Sequence, residues 1–416
     1  VQPAISFKST RESVNRENNN GWINFKIKEI ESMGPLEGIR VVEMAGLGAG
    51  PLCGMMLADL GASVLVIERP GHQSAEASAH VHEVDPLLRG KMRQPLDLKS
   101  PTHVELLREI IGRSQVLLES YRPGVMERLG LGPSVICNNH PSLVYARMTG
   151  WGQTGPWAHR AGHDPNYIGA TGALFHSGRS AEAPMAPPTL LGDAAGGAAL
   201  MTSGITSALI PAIRDGRGQV IDGAIAEGTN YLATYAQSFY QAGQLTDQRC
   251  SGWLDGGAPW NDTYRTHDEA YMVVAAIEPQ FYACLLAQLK LTDHPLFSDL
   301  DQWERSRWGE QRAVIAELFE SHSRAFWETV FDDGDACVSS MLTYGEARTH
   351  PQFQARHAFF EQSGQWFPAP APRFSDTSWE PADSVEVAAA RDYLRVLGVP
   401  EAALKALQDY RVSGEN

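Results

Sequence analysis

Short, nearly continuous apolar runs alternate with helix-period segments over the first half of the chain. Residues 39–44 (IRVVEM) and 63–68 (SVLVIE) are rich in β-branched side chains, the composition of buried strands. Between them lie GLGAGPL, a glycine loop, and MMLADLGA, a helix pattern. Strand, glycine loop, helix and strand in that order predict the start of a doubly wound parallel sheet. HVELLREIIGRS then reads as a helix, QVLLES as a strand ending at YRPG, and SLVYARMTG as a strand ending in GWGQTGP. GQVIDGAIAEG, 218–228, reads as a strand running into a helix. The glycines at 46, 48 and 50 do not spell GxGxxG. They predict a tight turn with close helix packing rather than a dinucleotide fingerprint.

The most apolar long run is 194–213, AAGGAALMTSGITSALIPAI. Its small residues, with Thr and Ser among them, predict a closely packed buried helix rather than a membrane span. Near residue 230 the pattern changes. YMVVAAI is strand-like, whereas FYACLLAQL and AVIAELFESH are helical, so 254–360 reads as a smaller second domain after a linker helix at 229–253. The large α/β domain spans 34–228. WFPAPAPRF opens a Pro-rich extended linker within 361–416, whose last part, from about Val385, is helical and returns to the large domain. Residues 1–33 are polar and lack an apolar signal core, and read as a disordered extension.

Composition narrows the class. With 416 residues and 43% hydrophobic side chains the chain can bury a large core. A formal net charge of -15 argues against nucleic acid or anionic membranes as partners, while leaving room for a local basic pocket. The five cysteines, with no CxxC pair, read as reduced thiols in a reducing compartment, the cytoplasm or, in a eukaryote, the peroxisome or mitochondrion. GxSxG, HExxH, a Walker loop and zinc spacing are all missing, so hydrolase, metalloenzyme and kinase readings lose ground.

The candidate chemistry lies in scattered acids. AGHDPNY sets His163 beside Asp164. The pair reads either as a base and a substrate contact facing one pocket, or as an Asp helix cap beside a satisfied His. Asp193 in LLGDAAGG reads as an N-cap of the apolar helix, or as a partly desolvated carboxylate suited to proton transfer. Glu278 in IEPQF sits at a strand end beside Pro, as an active-site or a surface acid. Arg69, Lys99 and Arg122 end strands or loops, where cations suit a phosphate or simply face water. HVHEVD, 80–85, has no partner cluster and reads as a lid or surface loop, and LDGGAPW, 254–260, as a glycine turn.

In order, PLEGIRVVEMAGLGAGP, LADLGASVLVIERPG, LDLKS, YRPGVMERLGLGP, YARMTGWGQTGP, AGHDPNY, GDAAGG, GQVIDGAIAEG, LDGGAP, AAIEPQFY, DACV and PAPRFS run from about Pro35 to Ser375. As a set they resemble the family III CoA-transferase superfamily, most closely its α-methylacyl-CoA racemase branch. The resemblance implies a large doubly wound, Rossmann-like parallel-sheet domain plus a smaller α+β domain. It also implies an interlocked, ring-like homodimer with the site between the large domain of one chain and the small domain of its partner. By the same resemblance, His163 and Asp193 act on opposite faces of the α-carbon of a 2-methylacyl-CoA. Glu278 pairs with the His, and Asp164 lies near the thioester oxygen. Arg69, Leu96, Asp97, Leu98, Lys99, Arg122, Gly162, Asn166 and Tyr167 contact CoA, and Met55, Met56 and Met201 are candidates for an acyl-tail surface. CoA is part of the substrate, and no metal or separate cofactor is implied. The alternative is a transferase in which Asp164 is the nucleophile. Three places depart from the racemase pattern. Thr189 replaces an Asn, DACVSSM lacks the TP that follows DACV, and GKMRQPLDLK replaces the GKRS at which Lys91 or Arg93 would meet a pyrophosphate.

Overall fold

The strands β1 (Arg40–Met44), β2 (Ser63–Glu68), β3 (Lys91–Pro95), β4 (Val116–Glu119), β5 (Val144–Thr149) and β6 (Gln219–Ala224) form one sheet in the order β3-β2-β1-β4-β5-β6. Every neighbouring pair is parallel. The structure, a computed structural model, describes residues 34–70, 85–298, 301–377, 379 and 387–407. The extension up to residue 33 and most of the HVHEVD loop lie outside the described residues.

Alternate residues of each inner strand enter opposite cores, because successive side chains point to opposite faces. Val42, Leu65, Leu117 and Tyr145 pack on α2 (Pro101–Ile111) through Leu106, Leu107 and Ile110. Val41, Val64, Leu118 and Ala146 pack on α1 (Ala49–Asp59) through Cys53 and Leu57. Burial on both faces is why IRVVEM and SVLVIE show no polar alternation. β3, with its sequence KMRQP, escapes sequence reading as a strand. It is an edge strand in which only Met92 enters the apolar core, and its Pro stands at the last position.

After β5 come α3 (Asp164–Ala170) and α4 (Leu190–Asp215), then α5 (Ile225–Leu232) beyond β6. α4 begins four residues earlier than the apolar run suggests. Its first ten residues, Leu190–Ala199, form a π-helix and the rest is α-helical. With 26 residues and a mean hydropathy of 1.4 it is long and apolar enough to cross a membrane, yet half of that span is buried in the fold. Met201, Ile205 and Leu209 bind it to the sheet, as a core helix.

A second sheet, β7 (Asn261–Arg265), β8 (Tyr271–Ala275) and β9 (Val338–Ser340), is antiparallel. Its own apolar cluster joins Tyr264, Met272 and Val274 to α6 (Pro279–Gln288), α7 (Trp308–Glu320) and α8 (Arg324–Phe331). A hairpin, β10 (Phe359–Gln362) and β11 (Gln365–Pro368), takes up the start of the Pro-rich stretch. α9 (Val387–Val396) buries Ala390 and Leu394 in the α2 side of the large-sheet core.

Candidate active site

In a parallel sheet of order 3-2-1-4-5-6 the chain leaves β1 and β4 toward opposite faces, which opens a crevice at their C-terminal ends. The loop after β1 and the loop after β4 meet there. Both Gly46 and Gly50 abut Ser120, and a Cβ at Gly46 would lie 2.1 Å from Ser120 Oγ. The absent side chains make room for the Ser120 side chain against the loop after β1.

α3 carries two of the predicted residues to this crevice. His163 is its N-cap, in extended backbone, and its N–H donates to Asn166 Oδ1 at 3.0 Å. Asp164 is therefore the first helical residue and not the cap. The imidazole is exposed, whereas the Asp164 carboxylate is buried at 3% exposure. That carboxylate accepts the backbone N–H of Asp193 at 2.7 Å. The first N–H groups of any helix lack intrahelical acceptors, so Asp164 caps α4 from outside. A hydrogen bond to a charged group is worth about 1.5–3 kcal/mol.

Asp193 is not the N-cap of its helix either. Thr189 holds that place with φ 54, in the left-handed region. Ala194 N–H reaches Thr189 O at 3.0 Å, closing the wide π-turn. Asp193 thus stands one turn inside the helix, half-buried. Its Oδ2 lies against Gly48, the N-cap of α1, where a Cβ would be only 2.8 Å away. Gly48 has φ 64, so both its backbone and this approach favour glycine. The N-terminal ends of α1, α3 and α4 therefore converge, and their partial positive charge favours an anion between them. The Tyr167 phenol is pushed up chiefly by burial, then by the Asp193 charge, against the opposing Arg122 cation. Its hydroxyl donates to Gly162 O.

Of the residues predicted for CoA, Gly162 precedes α3 and Asn166 and Tyr167 lie within it, whereas the others follow C-terminal strand ends. Arg69 follows β2, Leu96–Lys99 follow β3 and Arg122 follows β4. Arg69, Lys99 and Arg122 are exposed. Asp97 is tied into its own loop, its N–H donating to His103 Nδ1 at 2.9 Å and its carboxylate accepting Lys99 N–H at 3.0 Å. Leu96 is fully buried in the core and Leu98 packs against it, so any contact they offer is made by backbone. Lys91 is no pyrophosphate contact. It has no exposed surface and pairs with Glu43 at 2.7 Å. Arg93 pairs with Glu68 at 2.7 Å. Met201 is core, at 4% exposure, while Met55 and Met56 are half-buried.

Glu278 is the exposed N-cap of α6, beyond β8 in the second sheet. Its charge contributes to raising the nearby Cys337 thiol, behind the larger effect of burial.

Sequence reading missed Gly48 as the neighbour of Asp193, and it missed the Glu43–Lys91 and Glu119–Arg147 pairs. For the pairs a signal was present. An acid inside a β-branched strand, as in IRVVEM or QVLLES, is buried and requires a partner.

Fold and site define a doubly wound α/β protein with two linked aspartates and a histidine-capped helix at its topological switch point. Residues 36–384 match the family model CoA-transferase family III, and the chain belongs to that family. The α-methylacyl-CoA racemase of Mus musculus is 42% identical over 381 residues, 91% of this chain and 94% of that protein. The protein of the same name from Homo sapiens is 42% identical over 343 residues, 82% of this chain and 87% of that one. The crystal structure of a CAIB/BAIF family protein from Brucella suis matches with a TM-score of 0.74 at 25% identity, covering 87% of this chain and 99% of that chain.

Proposed function

We propose that the protein is an isomerase that inverts the α-carbon of 2-methylacyl-CoA thioesters. The 2.7 Å bond from the Asp193 N–H to Asp164 carries the reading, since it ties the helix start bearing His163 to the helix bearing Asp193. The two relatives at 42% identity, both named α-methylacyl-CoA racemase, support it.

Inversion removes a proton from one face of the α-carbon and returns one to the other, which requires two acid–base groups on opposite sides of a planar enolate. His163 and Asp193 take those parts. The thioester acidifies the α-proton, and the converging helix ends stabilise the enolate oxygen as its charge develops. CoA enters as part of the substrate, with Arg69, Lys99 and Arg122 facing its phosphates. Glu278 reaches His163 from a second chain in an interlocked homodimer. Five free cysteines fit a reducing, cytoplasmic type of compartment.

A transferase reading makes Asp164 the nucleophile. Its burial and its bond to Asp193 weigh against that, because attack on a thioester would abandon the bond that anchors α4. Washout of α-deuterium from each epimer of a 2-methylacyl-CoA is the test. Exchange lost in His163→Ala for one epimer and in Asp193→Ala for the other is expected. A hydroxylamine-sensitive acyl adduct on Asp164, without exchange, would replace the racemase with the transferase.

A further inference from the structure

Glu43 and Lys91 form an ion pair inside the fold, at 1% and 0% exposure, between β1, β3 and α1. Nothing in the proton-transfer scheme above uses them. Lys91 Nζ donates to Glu43 Oε2 at 2.7 Å and to the carbonyl of Pro51, in the first turn of α1, at 2.8 Å. The pair also fills a notch at Gly54 one turn later, where a Cβ would lie 1.8 Å from Glu43 Oε2 and 2.9 Å from Lys91 Nζ. It therefore grips α1 at two successive turns. Burying two charges is costly, and a pair of apolar side chains would fill this volume at least as stably. The helix it grips begins at Gly48, against which the Asp193 carboxylate rests.

We propose that Glu43 and Lys91 are positioning residues for proton transfer, holding the first turn of α1 against the Asp193 carboxylate. The inference rests on the racemase reading. The positive end of α1 stabilises the ionised form of Asp193, the form that accepts a proton. On α3 the Asp164 carboxylate accepts the Asp193 N–H and the Tyr167 phenol feels the Asp193 charge, with the Arg122 cation acting on Tyr167 as well. Around the pair itself stand Asp85 and Cys53, whose thiol burial pushes up to about 12. Cys53 is itself on α1 and accepts a hydrogen bond from Thr202 of α4 at 3.3 Å, so the pair reaches the helix bearing Asp193 through α1.

The test uses the full chain and α-deuterium washout from each epimer of a 2-methylacyl-CoA, followed against pH. One epimer is identified by its loss of washout in Asp193→Asn. For that epimer, the double variant Glu43→Leu/Lys91→Met should move the acid limb of the profile upward by about 0.3–0.7 pH unit, the range a helix terminus exerts. The epimer deprotonated by His163 should keep its profile. Lys91→Gln, with the pair's partner retained, is read the same way and serves if the double variant does not fold. Unchanged acid limbs, or equal loss of rate for both epimers at unchanged limbs, would overturn the proposal and leave the pair a purely structural role. No washout from either epimer by the unsubstituted protein would instead overturn the racemase reading.

Discussion

Thr189 and Gly48 are the two residues whose backbones the site strains or exploits. Thr189 is β-branched yet has φ 54, a conformation that costs such residues on the order of 1–3 kcal/mol. Asn tolerates that region because its short amide bonds locally. Thr189→Asn should therefore raise the urea midpoint with an unchanged slope, by about 0.5–1 kcal/mol of stability. Gly48→Ala should do the reverse. Its new methyl meets Asp193 Oδ2 at 2.8 Å and its φ is positive. We expect a loss of about 1–2 kcal/mol in denaturant unfolding. Washout from the Asp193-dependent epimer should fall at least about tenfold, since small displacements of a reacting group are costly.

At the scale of elements, the site is built from helix beginnings. α4 starts in a π-turn and leaves the Asp193 N–H for Asp164, which itself opens α3. Asp164→Ala orphans that N–H and should cost about 1–3 kcal/mol. Asp164→Asn keeps an acceptor oxygen and should cost less. The order Ala worse than Asn, measured by thermal unfolding, checks the capping role. Equal costs would mean the bond contributes nothing to stability. Element boundaries were the least legible part of the sequence. GDAAGG looks like an Asp-capped helix because Asp is a preferred cap, and nothing local announces that Thr189 starts the helix four residues earlier. β3 was hidden for a related reason, since its side chains face a buried ion pair and an edge rather than two apolar cores.

For the whole molecule the question is whether Glu278 serves the crevice, and from which chain. If two chains share each site, Asp193→Asn and Glu278→Gln chains expressed together should form hybrid dimers in which one site carries both substitutions and the other neither. We expect recovery of about a quarter of the unsubstituted activity when the two chains assemble at random, with each variant alone near background. No recovery in verified hybrids would place Glu278 outside the site or the site within one chain. The ordered motifs from Pro35 to Ser375 indicated the family, and the model match over 36–384 agrees with them.

The sequence by itself determined five of the six strands of the large sheet and the identity of its candidate acids and base. Strands buried on two faces need unbroken apolar runs, and those runs are visible without coordinates. The acids inside those runs, Glu43 and Glu119, carry a signal of buried partners that went unread. Only the tertiary structure decided that Asp164 braces Asp193, that Lys91 serves α1 rather than a phosphate, and that Glu278 caps a helix beyond the second sheet. The first two are contacts between residues 29 or 40 positions apart. Such contacts follow from how helices pack on a twisted sheet, which no local pattern of side chains records.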